Sequence, residues 1–281
     1  MVNKKKSVLI IYKRSPLLAA GTSVAAANER FRKNHACHYA ALKKVEAILN
    51  DFNIPYRQHL RGTPVNCKEF NIIVSVGGDG TFLHAARQAS KEQLIIGVNS
   101  DPTWSVGQFC SADSENLSKV LQQTLVKPRV KKLYKLRATF IDEKPRRVVE
   151  CLNDILVCHA NPAAMSRYIL SIYQDSEEQR SSGVWISSAA GSSGAIYSAG
   201  GARINIEKQV IQYKPREMYF GKQPSSRLKG GLIEPQRAID ITSRMSHGRV
   251  FFDGSHIKYP LIFGKTIRIQ SSPNYIQMVY A

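Results

Sequence analysis

Two short turns and one stretch of small residues hold the residue types that could do chemistry. The first is Gly77-Gly78-Asp79-Gly80-Thr81, directly after an apolar run. Paired glycines open backbone dihedrals closed to other residues and let a ligand come within contact distance of the main chain. A helix starting there would offer free N–H groups and the positive end of its dipole, which suits phosphate. A carboxylate in that place would be repelled by phosphate. Asp79 therefore makes sense if it holds a cation or takes a proton from an attacking hydroxyl. The plain alternative is a tight turn with Asp79 as helix N-cap, and spacing alone does not separate the two.

The second turn is Asn153-Asp154, at the end of the run Val148-Val149-Glu150-Cys151-Leu152. An amide beside a carboxylate at a strand end can fork onto the vicinal hydroxyls of a ribose. Taken alone it reads as an ordinary turn. The third feature is Ser187 to Gly201, where small side chains would let a flat ring lie close to the backbone and serines supply hydroxyls. A helix starting near Ser192 would add N–H donors. Close packing that tolerates only small residues explains the same composition. The histidines give little: His84 and His159 lie near these features, but no pair has metal-ligand spacing. Neither a Gly-x-Ser-x-Gly elbow nor a Gly-x-x-x-x-Gly-Lys-Ser/Thr loop is present.

The elements that must position these residues follow from hydrophobic periodicity. Ser7–Tyr12, Asn71–Val76 and Leu94–Val98 are apolar runs typical of strands buried on both faces. Residues 14–34 read as an irregular loop. Ala41, Val45, Ile48, Leu49 and Phe52 fall on one helical face. Phe82–Ala89 and Leu117–Leu125 are further helices. Strand, helix, strand, turn, helix, strand is the signature of a parallel sheet covered by helices. After Lys127-Pro128 the texture changes to alternating segments, such as Leu133–Ile141, Ser166–Tyr173 and Ala238–Ser243, as in antiparallel sheets with one face buried. The fold class is thus α/β with a boundary near residue 130 and a mostly β second part.

Composition narrows the function. The chain of 281 residues is 43% hydrophobic, which fits a folded globular protein of about two domains. It has no apolar run long enough to span a bilayer. The N-terminal residues do not form a signal peptide, so a reducing, cytoplasmic interior is expected. Five scattered cysteines without a Cys-x-x-Cys pair support neither a disulfide framework nor a zinc site. The formal net charge of +19 attracts polyanions, which include nucleic acid but equally ATP and dinucleotides. The densest basic stretch, Lys127–Arg137, runs into an alternating strand with Tyr134, Leu136, Ala138 and Phe140 on one face and Lys135, Arg137 and Thr139 on the other. A solvated sheet face is therefore preferred to a nucleic-acid arm.

Taken in order, the three features resemble the NAD kinase family. That family carries Gly-Gly-Asp-Gly-Thr after a strand, then an Asn-Glu pair, then a Gly-rich Ser/Thr segment ending in Ala-Gly-Gly. Here these stand as Gly77–Thr81, Asn153-Asp154 and Gly183–Gly201, and Asp253-Gly254 is similar to the family's late Asp-Gly strand. Lipid kinases and phosphofructokinases share the first turn, so specificity lies in the order and spacing of all three. Asn99-Ser100-Asp101-Pro102-Thr103, Leu152–Leu156, Pro162–Arg167 and Arg180–Gly183 resemble the branch of plant NADH-preferring kinases.

The resemblance implies a Rossmann-like α/β domain over 1–130, a β-sandwich dinucleotide-binding domain over 131–257, and a segment 258–281 returning to the first domain, with the active site between the domains. It implies transfer of the γ-phosphoryl of ATP to the 2′-hydroxyl of the adenosine ribose of NAD or NADH, with Mg²⁺ accompanying the donor and no resident protein metal site. Asp79 would activate the hydroxyl or its metal. Gly77, Gly78, Gly80 and Thr81 would hold phosphates. Asn153 and Asp154 would orient a ribose, Ser193, Gly194 and Ser198 would border the adenine, and Ser182, Asp253 and Gly254 complete the dinucleotide site. A homodimer or homotetramer without a membrane or nucleic-acid partner is expected. Three positions depart from the family pattern. The pair is Asn-Asp rather than Asn-Glu, the family tyrosine of the Gly-rich segment is missing at Ala195, and a family aspartate appears as Ser182. Loss of that carboxylate would weaken preference for the positively charged nicotinamide. A lipid kinase of the diacylglycerol or sphingosine type, and a non-catalytic nucleotide or nucleic-acid binder, are the competing readings.

Overall fold

The apolar runs of the N-terminal part form the centre of a parallel sheet. In the computed structural model, which describes residues 6–19, 21, 23, 28–219, 221 and 226–280, the chain divides into two compact units. One runs to Lys132 and takes in the chain from Ile276, and the other is Leu133–Tyr275.

The first unit holds β1 (Val8–Tyr12), α1 (Pro16–Ala19), α2 (Glu29–Asp51), β2 (Tyr56–Leu60), β3 (Ile72–Gly77), α3 (Asp79–Gln88), β4 (Leu94–Asn99), β5 (Ala112–Asp113) and α4 (Leu117–Val126). β2, β1, β3 and β4 lie side by side, all parallel. Their carboxyl ends therefore open on one edge of the sheet. Val8, Ile10, Ile72, Val74 and Ile96 pack with Ala41, Val45 and Leu49 of α2 and Leu117 and Leu121 of α4 in one core.

The expected loop over 14–34 is corrected in part. Pro16–Ala19 is helical, and α2 begins at Glu29, capped by Asn28, whose side chain accepts the Phe31 N–H at 3.1 Å. Residues 20, 22 and 24–27 of that stretch lie outside the described residues. Hydrophobic periodicity misses the first turns of α2 because the buried face there is polar: Asn34 and His38 are only 2% and 0% exposed. They continue the line of Ala41, Val45 and Ile48 at helical spacing.

The second unit is a sandwich of two sheets. β6 (Val130–Phe140), which starts at the boundary, is followed by β7 (Val148–Cys151), β8 (Asp154–His159), β9 (Ser166–Ile172), β10 (Asp175–Ser181), β11 (Val184–Ser188), α5 (Ala195–Ser198), β12 (Ile211–Pro215), β13 (Gly231–Ile233), β14 (Ala238–Ser243), β15 (Gly248–Phe252), β16 (Ile257–Pro260) and β17 (Thr266–Val279). One sheet runs β10-β9-β14-β17-β6-β7, the other β13-β12-β11-β8-β15-β16. The second of these is antiparallel throughout. Alternate residues of both, including Ala138, Tyr168, Ile241, Val157, Ile186 and Phe252, interleave in a shared apolar core. The chain then leaves this unit along β17, whose Gln277 and Met278 pair with Leu94 and Ile95 of β4 in parallel. The division of faces expected for 134–140 holds for Leu136, Ala138 and Phe140. It fails at Lys135, which is 5% exposed, while Tyr134 is only half-buried.

Candidate active site in two units

Within the first unit, Gly77 ends β3, Gly78 is the N-cap of α3 and Asp79 is its first helical residue. The N-cap reading of Asp79 is thus replaced. Its carboxylate turns away from its own helix, and Oδ1 accepts the Phe109 N–H at 2.9 Å. Gly78 is closely approached by the next loop, since a Cβ there would come within 2.3 Å of Ser105 Oγ. The Ser100 N–H donates to Gly77 O at 3.0 Å, tying the strand end to the next loop. That loop is braced by Asp101, whose Oδ1 accepts from the Thr103 N–H and hydroxyl at 3.1 and 2.6 Å and whose Oδ2 accepts from Asn34 at 2.7 Å. Burial would raise the Asp101 carboxyl, but these hydrogen bonds outweigh it and hold it below the usual carboxylate range. Thr81 is 1% exposed and its hydroxyl oxygen has no hydrogen-bond partner. The neighbouring Cys110 thiol is pushed up to about 12 by burial and by Asp79, so it is inert at neutral pH.

Within the second unit, Asn153 sits in the bend between β7 and β8, and Asp154 opens β8. Asp253, in a left-handed backbone conformation at φ +48°, receives this bend from below. Its Oδ1 accepts the Asn153 N–H at 2.7 Å and its Oδ2 the Leu152 N–H at 3.2 Å. The Ser188 hydroxyl donates to Leu152 O at 2.5 Å, and the Ser188 N–H to Asn153 O at 3.1 Å. The small-residue stretch closes over the same bend. A Cβ on Gly191 would lie 2.1 Å from Asn153 O, and one on Gly194 would stand 3.4 Å from Asn153 Nδ2 and 3.9 Å from Asp154 Oδ2. Three motifs distant in sequence thereby meet at one bend.

Asp154 is 6% exposed. Burial, and then the charge of Asp253, push its carboxyl up to about 7. At neutral pH it is therefore shared between an acid that donates and a carboxylate that accepts. Asp154, Ser182 and Gly254 line a cavity of about 370 Å³ together with Trp185, Arg216 and Phe251. Ser193 ends the 3-10 turn Ala190–Ser193 and Ser198 ends α5, and neither lines that cavity. The helix expected from Ser192 is reduced to this turn and the four residues of α5. Sequence reasoning did not single out Trp185 or Arg216. The signal for Trp185 was available: with Val184 and Ile186 in the core, alternation places this large ring on the opposite face of β11.

Residues 15–127 match the family model of the ATP-NAD kinase N-terminal domain. Over 232 residues the chain is 30% identical to a probable NADH kinase of Oryza sativa subsp. japonica, covering 75% of this chain and 71% of that protein. It is 29% identical over 269 residues to the NADH kinase of Arabidopsis thaliana, 83% of this chain and 80% of that protein. The crystal structure of an NAD kinase from Archaeoglobus fulgidus in complex with ATP has a TM-score of 0.72 at 20% identity, over 96% of this chain and 92% of that one. At that identity the likeness is one of fold.

Proposed function

The chain belongs to the NAD kinase family, and from that premise we propose that it moves the γ-phosphoryl of ATP to the 2′-hydroxyl of the adenosine ribose of NAD(H), yielding NADP(H). The observation that carries this reading is the bend Asn153-Asp154, locked between Asp253 and the glycines Gly191 and Gly194. It presents an amide and a half-neutral carboxyl, the pair of groups that can take a vicinal diol.

Residue roles follow from local chemistry. Loose phosphoryl transfer needs positioning and charge neutralisation more than covalent help. The first unit supplies the helix start and the Thr81 hydroxyl for the donor phosphates. Asp79, with one oxygen engaged by Phe109, keeps the other to orient the attacking hydroxyl or to meet the ion that ATP carries. Magnesium fits this arrangement as an ion bound chiefly through phosphate oxygens. Among the described residues no group of three or more His, Cys, Asp or Glu side chains could cage a metal, and Mg²⁺ is ordinarily held by one or two carboxylates plus phosphates. The second unit supplies Asn153 and Asp154 for the ribose and the cavity bordered by Ser182 for the remainder of the dinucleotide. Gly194, Ser193 and Ser198 border the adenine in the same reading.

Among the described residues no helix is long and apolar enough to cross a membrane. The five cysteines are all free thiols, which fits a cytoplasmic setting, and a homodimer or homotetramer completes the proposal. The test is incubation with ATP, Mg²⁺ and either NAD or NADH, with product separated and identified. Formation of NADP or NADPH is expected. No product from either dinucleotide, with phosphorylation of diacylglycerol or sphingosine in vesicles instead, would transfer the chain to the lipid-kinase reading.

A further inference from the structure

The first half of α2 holds the loop between β4 and β5 at three heights. Near the helix start, the Trp104 ring has the Phe31 ring centre at 5.5 Å and the Arg30 guanidinium at 4.5 Å. One turn on, Asn34 Nδ2 donates to Asp101 Oδ2 at 2.7 Å. One turn further, His38 Nδ1 meets the Ser100 hydroxyl at 2.9 Å, while Nε2 lies 2.8 Å from Lys13 O. A carbonyl can only accept, so Nε2 carries the proton and Nδ1 accepts from Ser100. Burial lowers the His38 pKa, which keeps this neutral form at physiological pH. Positions 30, 34 and 38 share one helical face.

This stripe is costly for a mere filling of the core. Asn34 is 2% exposed and its Oδ1 has no partner. A leucine would fill the place with no buried oxygen left unbonded. What the stripe secures is a loop bonded to itself as one piece. The Trp104 and Ser105 N–H groups donate to Asp101 O, each at 3.1 Å, and Asn99 Nδ2 donates to Ser105 O at 2.9 Å. The same Asn99 amide packs on Gly107, where a Cβ would stand 2.5 Å from Nδ2. The Cys110 N–H donates back to Gly107 O at 2.9 Å. Between these two, Phe109 stacks on Phe82 of α3 with ring centres 5.1 Å apart. Its N–H is the group that holds the Asp79 carboxylate at 2.9 Å.

We propose that Asn34 is a positioning residue for Asp79, acting through Asp101 and this loop to set the direction of the carboxylate, with His38 as a second anchor on Ser100. This rests on the kinase reading for the task of Asp79 and adds the part of the fold that aims it. Asp101 couples helix to loop because its oxygens divide the work. Oδ1 takes the Thr103 N–H and hydroxyl, and Oδ2 takes Asn34. Bonds to an ionised carboxylate are the strong ones, so the link is stiff.

The experiment compares wild type with Asn34→Ala, Asn34→Asp, Asp79→Asn, Asn34→Ala combined with Asp79→Asn, and Asn34→Asp combined with Asp101→Asn. Thermal unfolding checks that each variant folds. Asn34→Ala should lower kcat about 10-fold, with KM for ATP and for the dinucleotide changed less than about twofold. In the Asp79→Asn background the same substitution should cost less than about twofold, because a group that acts through Asp79 has no carboxylate left to aim. Asn34→Asp sets one carboxylate against another and should lose more, about 30-fold. Adding Asp101→Asn exchanges donor and acceptor, restores the bond and should bring kcat within about threefold of wild type. Amide hydrogen exchange needs no turnover: the Phe109 N–H should exchange about 10-fold faster in Asn34→Ala, while that of Val74 in β3 stays unchanged. An equal loss from Asn34→Ala with and without the Asp79 carboxylate, no recovery in the exchanged pair, or Phe109 exchange at the wild-type rate would each overturn the proposal. Should wild type make no NADP(H) while Phe109 exchange still follows Asn34, the kinase reading fails and the link from α2 to Asp79 stands.

Discussion

The two turns that carry the chemistry are built alike and charged oppositely. Each follows a strand, and in each a glycine is closely approached by another part of the chain: Gly78 by the Ser105 side chain, Gly191 by the Asn153 backbone. The first turn has one carboxylate, Asp79, at the open end of a parallel sheet, where Arg61 lies beside Gly80 and feels the charge of Arg87, and Lys13 feels that of Arg61. The second has two carboxyls, Asp154 and Asp253, close enough in a buried bend that one raises the other's pKa. A place that gathers cations around backbone N–H groups is suited to an anion. A place where two acids crowd together and one keeps its proton is suited to a neutral hydroxyl. In the proposed reading the strand-to-helix turn of one unit serves the phosphate donor and the strand-to-strand bend of the other serves the alcohol acceptor.

If that contrast is right, the largest loss comes from Asp79→Asn. It leaves the shape intact but removes the charge that orients the hydroxyl or meets the ion. A fall in kcat of about 10³-fold is expected, within the span of a positioned acid–base group. Turnover near the wild-type rate would remove Asp79 from the reaction.

Gly191→Ala comes next. Its Cβ would lie 2.1 Å from the carbonyl oxygen of Asn153, and backbone cannot rotate away as a side chain can. The bend must move, so kcat/KM for the dinucleotide should fall about 100-fold and the unfolding temperature should drop. Gly78→Ala meets only the Ser105 side chain, its rotatable hydroxyl at 2.3 Å and its Cβ at 3.1 Å, so it should lose less, and Ser105→Ala should restore part of it. Equal losses at the two glycines would mean that the second bend is not the more rigid one.

A smaller effect with a sign of its own is expected at Asp154. Its carboxyl titrates at about 7 in the fold against 3.8 when exposed. Between those values the folded chain holds the extra proton, so stability falls as pH rises through that window. Asp154→Asn fixes the neutral form. It should flatten this slope and stabilise the protein at pH 8 by on the order of 2 kcal/mol, while kcat/KM for the dinucleotide drops about 10-fold because one of the two oxygens that can accept from a ribose hydroxyl becomes an NH2 donor. Denaturant unfolding across the pH range, paired with kinetics, reads both. A variant less stable than wild type at pH 8 would mean that Asp154 is ionised and well paired.

What could be read beforehand follows the same physics. The strands β1, β3 and β4 are buried on both faces and stand out as apolar runs. β8 was missed because Asp154, Leu156 and Cys158 line the cavity, mixing polar and apolar residues on its outer face. The start of α2 does not show in the apolar pattern because Asn34 and His38 occupy core positions, where Asn34 Nδ2 donates to Asp101 at 2.7 Å and His38 Nδ1 bonds Ser100 at 2.9 Å. The glycine turn is visible because glycine itself marks unusual backbone. Arg61 is not, since nothing local distinguishes it from the other basic residues. Only the parallel pairing of β1 with β2 brings it beside Lys13 and the turn.

The smallest effect tests whether the second unit distinguishes the redox forms of its substrate. Ser182 stands where the resemblance would place an aspartate, and it lines the cavity with Trp185, Phe251 and the cationic Arg216. The acid lining that cavity beside it is Asp154, half-neutral near pH 7. A pyridinium ring entering there would meet a guanidinium without full compensation, whereas the reduced ring is uncharged. NADH should therefore be used better than NAD. Ser182→Asp, which adds one carboxylate at the cavity wall, should move the ratio of kcat/KM values toward NAD by about 5-fold, roughly the 1 kcal/mol expected of one partly screened charge. KM for ATP is a built-in control, because Ser182 belongs to the unit assigned to the dinucleotide. A ratio unmoved by the added charge would show that the nicotinamide ring does not enter this cavity. A shift toward NADH would show that Arg216 and Asp154 do not set its field.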